Sequence, residues 1–230
     1  MYKYLNLIVF IFSCKSFANE NEYVSNTDKM VVAQKLDSIK TIIKEGDIIF
    51  RGGTDIESAI IRDFSYNDKL FSHCGIVLKD HNKLVVTHIL GGASNPNSSI
   101  LSQSIDVFFT YPDNESAGVY KTDLDSMEIE KLNKYIDSVK KANVTFDLKF
   151  DLLDKSKLYC SEFVIDAIQY AKNNNTVFPI TSFYLKNTKY FAVTNKGDSF
   201  LFYPLDVFQH NKLLKEKAIF YFPNYRKQNP

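Results

Sequence analysis

Cys160 sits in the stretch Leu158-Tyr159-Cys160-Ser161-Glu162-Phe163-Val164, just ahead of apolar residues at Phe163, Val164, Ala167, Ile168 and Ala171. That three-and-four spacing predicts an amphipathic helix running to Asn173-Asn174-Asn175, with Cys160 in or near its first turn. Backbone N–H groups at a helix start lack partners and favour an anion, so a thiol placed there is stabilised as the thiolate nucleophile. Taken alone, such a cysteine is more often a small buried hydrophobe. A thiolate nucleophile also needs a base and a group that orients the base. His73 and His88 stand on two strand-like runs, Phe71 to Leu78 and Leu84 to Leu90, joined by a short polar turn. Strand alternation puts His73, Gly75 and Val77 on one face and Cys74 on the other. His73 is then the candidate base and His88 its orienting partner, provided that the Cys160 helix packs onto that face. Gly75 leaves room there for a close approach. A satisfied core histidine is the plainer reading of each ring alone.

The elements that must hold these groups follow in order. An irregular apolar stripe from Met30 to Ile43 predicts one helix, capped near Asn26 or Thr27 and ending by Lys44. Gly46-Asp47 breaks it, and Ile48 to Arg51 reads as a short buried strand. Gly52-Gly53 is a break, and Thr54 or Asp55 caps a short helix. Ala93 to Ser104, rich in Asn and Ser, reads as a loop; Val119 to Lys121 is a strand, and Leu124 to Ala142 a solvated amphipathic helix. Ala218 to Phe222 is a last strand. These alternations predict one domain of the α+β class, residues 19–230, with helices packed on a mainly antiparallel sheet.

Composition narrows the function. With 28 Lys and Arg against 27 Asp and Glu, and no basic block, nothing argues for nucleic acid as a partner. Lys3 precedes the apolar run Leu5 to Phe12, and Ser16-Phe17-Ala18 offers small residues at a cleavage site. That layout predicts a signal peptide over 1–18, cleavage after Ala18, and a periplasmic or secreted protein with no membrane span once the signal is removed. Lipidation at Cys14 is the rival reading. Cys74 and Cys160 then remain in the mature chain, where they stand either as free thiols or as one disulfide.

Three motifs recur in a meaningful order: Gly46-Asp47-Ile48-Ile49-Phe50-Arg51, Ser72-His73-Cys74-Gly75-Ile76-Val77 and Tyr159-Cys160-Ser161-Glu162-Phe163-Val164. Together they resemble the permuted papain-like thiol amidases and peptidases of the NlpC superfamily, YiiX-type branch, from about Glu45 to the strand near Phe220. The resemblance extends through Tyr203-Pro204-Leu205-Asp206 if that stretch matches the family's late Tyr-Pro-x-Asp segment. It implies a permuted papain-like fold with the nucleophile helix packed against the sheet. It further implies that Cys160 is the nucleophile, His73 the general base and His88 the third residue. Histidine at position 88 departs from the glutamate often found there, and Cys74 from a small or apolar residue such as valine. The implied activity is an exported cysteine hydrolase, or a related acyl transferase, working through a Cys160 thioester without a cofactor or metal. Its substrates would be small-molecule, peptidoglycan-peptide or lipid-like amides or esters. Tyr159 is a weaker candidate for shaping the cleft or donating to the oxyanion, and a packed aromatic is the alternative. Glu162 is left outside the triad, because a carboxylate so near the thiol would raise its pKa. Two competing functions stay open: a non-catalytic envelope ligand-binding module, and a zinc-binding protein using His73, His88 and Cys160.

Overall fold

A computed structural model describes residues 26–92, 95–111, 113–184 and 199–223. The expected signal over 1–18, its cleavage after Ala18 and the rival lipidation at Cys14 lie outside the described residues. Among the described residues, no helix is long and apolar enough to cross a membrane.

Helix α1 (Asn26–Ile42) packs ahead of β1 (Ile48–Gly53), and Gly46 between them adopts φ +86°, a conformation that favours glycine. The neighbouring Asp47 accepts from the Lys44 N–H at 2.7 Å and is paired with Lys217. This Gly-Asp pair therefore ends α1 and anchors the start of β1. Helix α2 (Ile56–Asp63) is capped by Asp55, whose Oδ1 accepts from Ser58 N at 2.8 Å. Strands β2 (His73–Asp80) and β3 (Lys83–Ile89) turn through His81 and Asn82, both at positive φ, as a two-residue hairpin with right-handed twist requires.

Residues 100–104, expected to be loop, form β4 (Ile100–Ser104) on the edge of the sheet beside β3. Their Ser and Gln content weakens the local strand signal, but backbone pairing to β3 overrides it. Helix α3 (Ile105–Phe109) follows directly, capped by Ser104. Then come β5 (Asn114–Thr122) and α4 (Ser126–Lys141), the latter opened by a reciprocal Asp125–Glu128 capping box. Strands β6 (Thr145–Phe146) and β7 (Lys157–Leu158) form a small parallel pair that leads into α5 (Cys160–Lys172). Strands β8 (Thr181–Tyr184) and β9 (Ser199–Phe202) pair with each other, and α6 (Asp206–Gln209) and β10 (Leu214–Tyr221) complete the order.

The main sheet runs β10-β5-β1-β2-β3-β4 with every neighbouring pair antiparallel. One face presents Ile48, Phe50, Cys74, Ile76 and Tyr120 to α5, which buries Phe163, Val164, Ala167 and Ile168 against them. The other face presents Ile49, Val77, Val86 and Val119 to α1 and α3. Each large apolar side chain buried this way contributes about 1.5–3 kcal/mol, so the two faces together fix the layers. The expected α+β class and mainly antiparallel sheet are present, with α5 packed against it.

Candidate active site

Positions 73 and 88 are brought into direct contact. His73 Nε2 and His88 Nδ1 are 2.8 Å apart, and His88 Nε2 lies 3.0 Å from Gln103 Oε1 on β4. Gly75 makes this possible. A Cβ there would stand 2.6 Å from Val86 Cγ1 and 3.1 Å from His88 Cβ, so the space beside His73 is filled by side chains of β3. Phe108 of α3 covers both imidazoles, with ring centroids 5.8 Å from His73 and 5.2 Å from His88.

The hydrogen-bond chain sets the tautomers. Gln103 presents a carbonyl oxygen, so His88 Nε2 carries the hydrogen and its Nδ1 is an acceptor. His73 Nε2–H then donates to that acceptor, which leaves the His73 Nδ1 lone pair free to take a proton. Both rings are held neutral. Burial, the Arg51 charge and His88 push His73 well below the ordinary histidine range, and burial with Arg51 pushes His88 down to about 3.

Cys160 is the first residue of α5, as its spacing predicted, and the preceding Tyr159 offers no side-chain cap. The amides of the first turn are therefore free to serve the sulfur. The thiol is held below its usual pKa chiefly by the Cys74 side chain, which donates to it, against the opposing effect of burial. The N–H groups of Cys74, Ser161 and Cys160 add to this. The amide of Cys74 belongs to the peptide that joins it to His73, so the sulfur lies against the start of β2. Burial and the Cys160 thiolate raise Cys74 well above the usual thiol range in turn. Both are free thiols.

One expectation is corrected. Helix α5 covers the sheet face of Cys74, whereas His73 and His88 project from the opposite face, under α3. Strand alternation requires this, since His73 and Cys74 are adjacent in one strand. The thiol and the imidazoles thus approach the beginning of β2 from its two sides instead of sharing one face.

Tyr159 is 1% exposed and stacked on Phe202, and its hydroxyl oxygen accepts from Tyr203 N at 2.8 Å. It ties the start of α5 to the chain after β9, as a packed aromatic does. Phe200 and Phe202 join Phe64 and Phe183 in the same aromatic cluster. Glu162 is fully buried and paired with Lys155 at 2.8 Å, and burial pushes its carboxyl up to about 7. Asp206 accepts from Tyr66 N and Asn67 N at 2.9 and 2.7 Å, so the Tyr-Pro-x-Asp stretch fastens the loop that delivers His73.

Three neighbours escaped the reading of the sequence. Gln103 sat in a Ser- and Asn-rich stretch whose short alternation was a weak signal. Cys74 was placed correctly away from His73, but its closeness to Cys160 is a tertiary fact. Arg51, which ends the apolar run Ile48-Ile49-Phe50, had the most readable signal: a charge within a buried strand.

No protein-family model matches the chain, and no curated protein matches it in sequence. Solved structures do. The crystal structure of metalloprotein yiiX from Escherichia coli O157:H7, DUF1105, matches with a TM-score of 0.57 and 17% identity, over 76% of this chain and 96% of that one. The likeness shows a YiiX-like fold.

Proposed function

We propose that the protein is an exported cysteine hydrolase of amidase or peptidase type, with a permuted papain-like fold and a Cys160 thioester intermediate. The observation that carries this reading is the chain His73–His88–Gln103, which leaves a bare imidazole nitrogen on the residue whose peptide abuts the helix-start thiol. Cys160 Sγ attacks the carbonyl carbon of an amide or ester while its proton passes to His73 Nδ1. The oxyanion is held by the backbone N–H of Cys160. Collapse expels the amine or alcohol, which takes the proton from His73; the low proton affinity of the buried ring makes it a strong acid for that step. His73 then deprotonates a water that splits the thioester, and an alcohol or amine in place of water gives acyl transfer. Export is supported by the apolar run Leu5 to Phe12 behind Lys3.

The structural neighbour is called a metalloprotein. A zinc site built from His73, His88 and Cys160 does not fit this chain. The two histidines spend a nitrogen each on one another at 2.8 Å, and Gln103 engages the second nitrogen of His88. Among the described residues, no group of three His, Cys, Asp or Glu side chains is arranged to hold a metal.

The test is labelling with iodoacetamide, located by peptide mass, beside a screen of amide and ester substrates. Cys160 should react much faster than Cys74, and Cys160→Ala should abolish turnover while the protein stays folded. Equal labelling of the two thiols rejects the hydrolase in favour of a binding module, and turnover that survives Cys160→Ala rejects Cys160 as the nucleophile.

A further inference from the structure

Arg51 stands opposite His73 in the β1–β2 pairing. Its side chain is 6% exposed, and Nη1 donates to the Phe108 carbonyl at 2.8 Å. The guanidinium carbon lies 4.9 Å from the centre of the Phe108 ring and 4.3 Å from that of Tyr111. The planar fork is thus gripped by two aromatic rings and one carbonyl, which fixes its direction before any ligand arrives.

What it lacks is an anion. Among the described residues it has no ion pair, and the buried acidic side chains are each engaged elsewhere through at least one oxygen. Asp47 is paired with Lys217 and Glu162 with Lys155, while Asp147 and Asp206 accept backbone N–H groups. The acidic groups that act on Arg51 at longer range include the Cys160 thiol and Asp55. Asp55 is committed to Ser58, with Oδ1 on the amide at 2.8 Å and Oδ2 on the hydroxyl at 2.7 Å. A buried cation without a counter-ion is costly to keep, and burial draws this one down to about 10, still charged at neutral pH. Arg51 adjoins His73 across the strand pair, and the thiol lies against the peptide that joins His73 to Cys74, so the unpaired charge and the thiol meet at the start of β2 from its two sides.

We infer that Arg51 is an anion subsite, and that the substrate carries a negatively charged oxygen group close to the carbonyl that Cys160 attacks. A guanidinium is a planar fork of parallel N–H donors, the geometry that carboxylates and phosphates accept in bidentate fashion. This assigns the substrate to acidic amides or esters, such as a peptide bearing a carboxylate beside the scissile bond. It rests on the cysteine-hydrolase reading, and the test separates the two.

The rate of Cys160 alkylation is measured with anionic iodoacetate and neutral iodoacetamide, at a pH where the thiol is fully ionised. The ratio is then divided by the same ratio for free glutathione. A subsite cation raises the wild-type ratio about tenfold, and added salt lowers it. Arg51→Gln returns the ratio to the glutathione value, while Arg51→Lys keeps part of the gain. Acetate and phosphate, added separately to wild type, protect Cys160 from iodoacetamide, and the better protector tells a carboxylate subsite from a phosphate subsite. If Arg51→Gln does not fold, the wild-type ratio and the protection decide. A wild-type ratio equal to that of glutathione with no protection by either anion, or a raised ratio that survives Arg51→Gln, overturns the subsite and leaves the hydrolase standing. Failure of Cys160 to react with either reagent overturns both.

Discussion

Replacing Gln103 by Leu should turn the histidine chain to the wrong tautomer. In the wild type the amide oxygen, 3.0 Å from His88 Nε2, keeps a hydrogen on that nitrogen and so leaves His73 Nδ1 bare. His88 is fully buried, and leucine would strand its Nε2–H without a partner at a cost of about 1–3 kcal/mol. The ring escapes this cost by moving its hydrogen to Nδ1, where it donates to His73 Nε2. His73 must then carry its own hydrogen on Nδ1, the atom that has to accept the thiol proton. A bias of about 1–3 kcal/mol corresponds to a five- to 150-fold loss of the competent tautomer. Acylation of Cys160 by an activated ester should fall by the same factor. Gln103→Glu, which retains an acceptor oxygen, should keep the wild-type tautomer and most of the rate. Histidine nitrogen NMR, which separates protonated from bare ring nitrogens, reads the tautomer directly, and single-turnover acylation reads its consequence. If Gln103→Leu remained folded, kept His73 Nδ1 bare and acylated at the wild-type rate, the relay would have no part in activating the thiol.

Two further outcomes follow from the same geometry. Cys74→Ala removes the S–H that donates to Cys160, so the thiol pKa should rise and the pH profile of alkylation move to higher pH. The small cavity left in the core should cost about 1 kcal/mol, measured by urea unfolding, and an unmoved profile would deny the contact. Glu162 has a folded pKa of about 7 against 4.5 in the unfolded chain. Its contribution to stability is therefore fully present below pH 4.5 and lost as pH rises through 7. Relative to Glu162→Gln, the wild type should lose about 2–3 kcal/mol of unfolding free energy between pH 5 and pH 8, and a constant difference would show that the carboxyl is not so perturbed.

The fold was readable where local chemistry and burial agreed. The spacing from Phe163 to Ala171 placed α5 with Cys160 at its start, and Gly46-Asp47 marked the gap between α1 and β1. The His73 and His88 strands, with a turn at His81-Asn82, followed from alternation and turn chemistry alone. Strand β4 was hidden because an edge strand needs only one backbone partner, and Ile100-Leu101-Ser102-Gln103-Ser104 carries little strand preference of its own.

By itself, the sequence determined which side chains share a strand face and which head a helix, because those follow from periods of 2.0 and 3.6 residues. That was enough to pair His73 with His88 and to separate His73 from Cys74. Which face α5 would cover was a matter of tertiary packing. Phe163, Val164 and Ala167 bury against the Cys74 side, and this sets the thiol beside a second cysteine and the peptide of His73. Packing of α3 on the other side closed Phe108 over the two imidazoles and gripped Arg51 without supplying an anion. Contacts between elements far apart in the chain depend on how whole surfaces fit, and no local period encodes that fit.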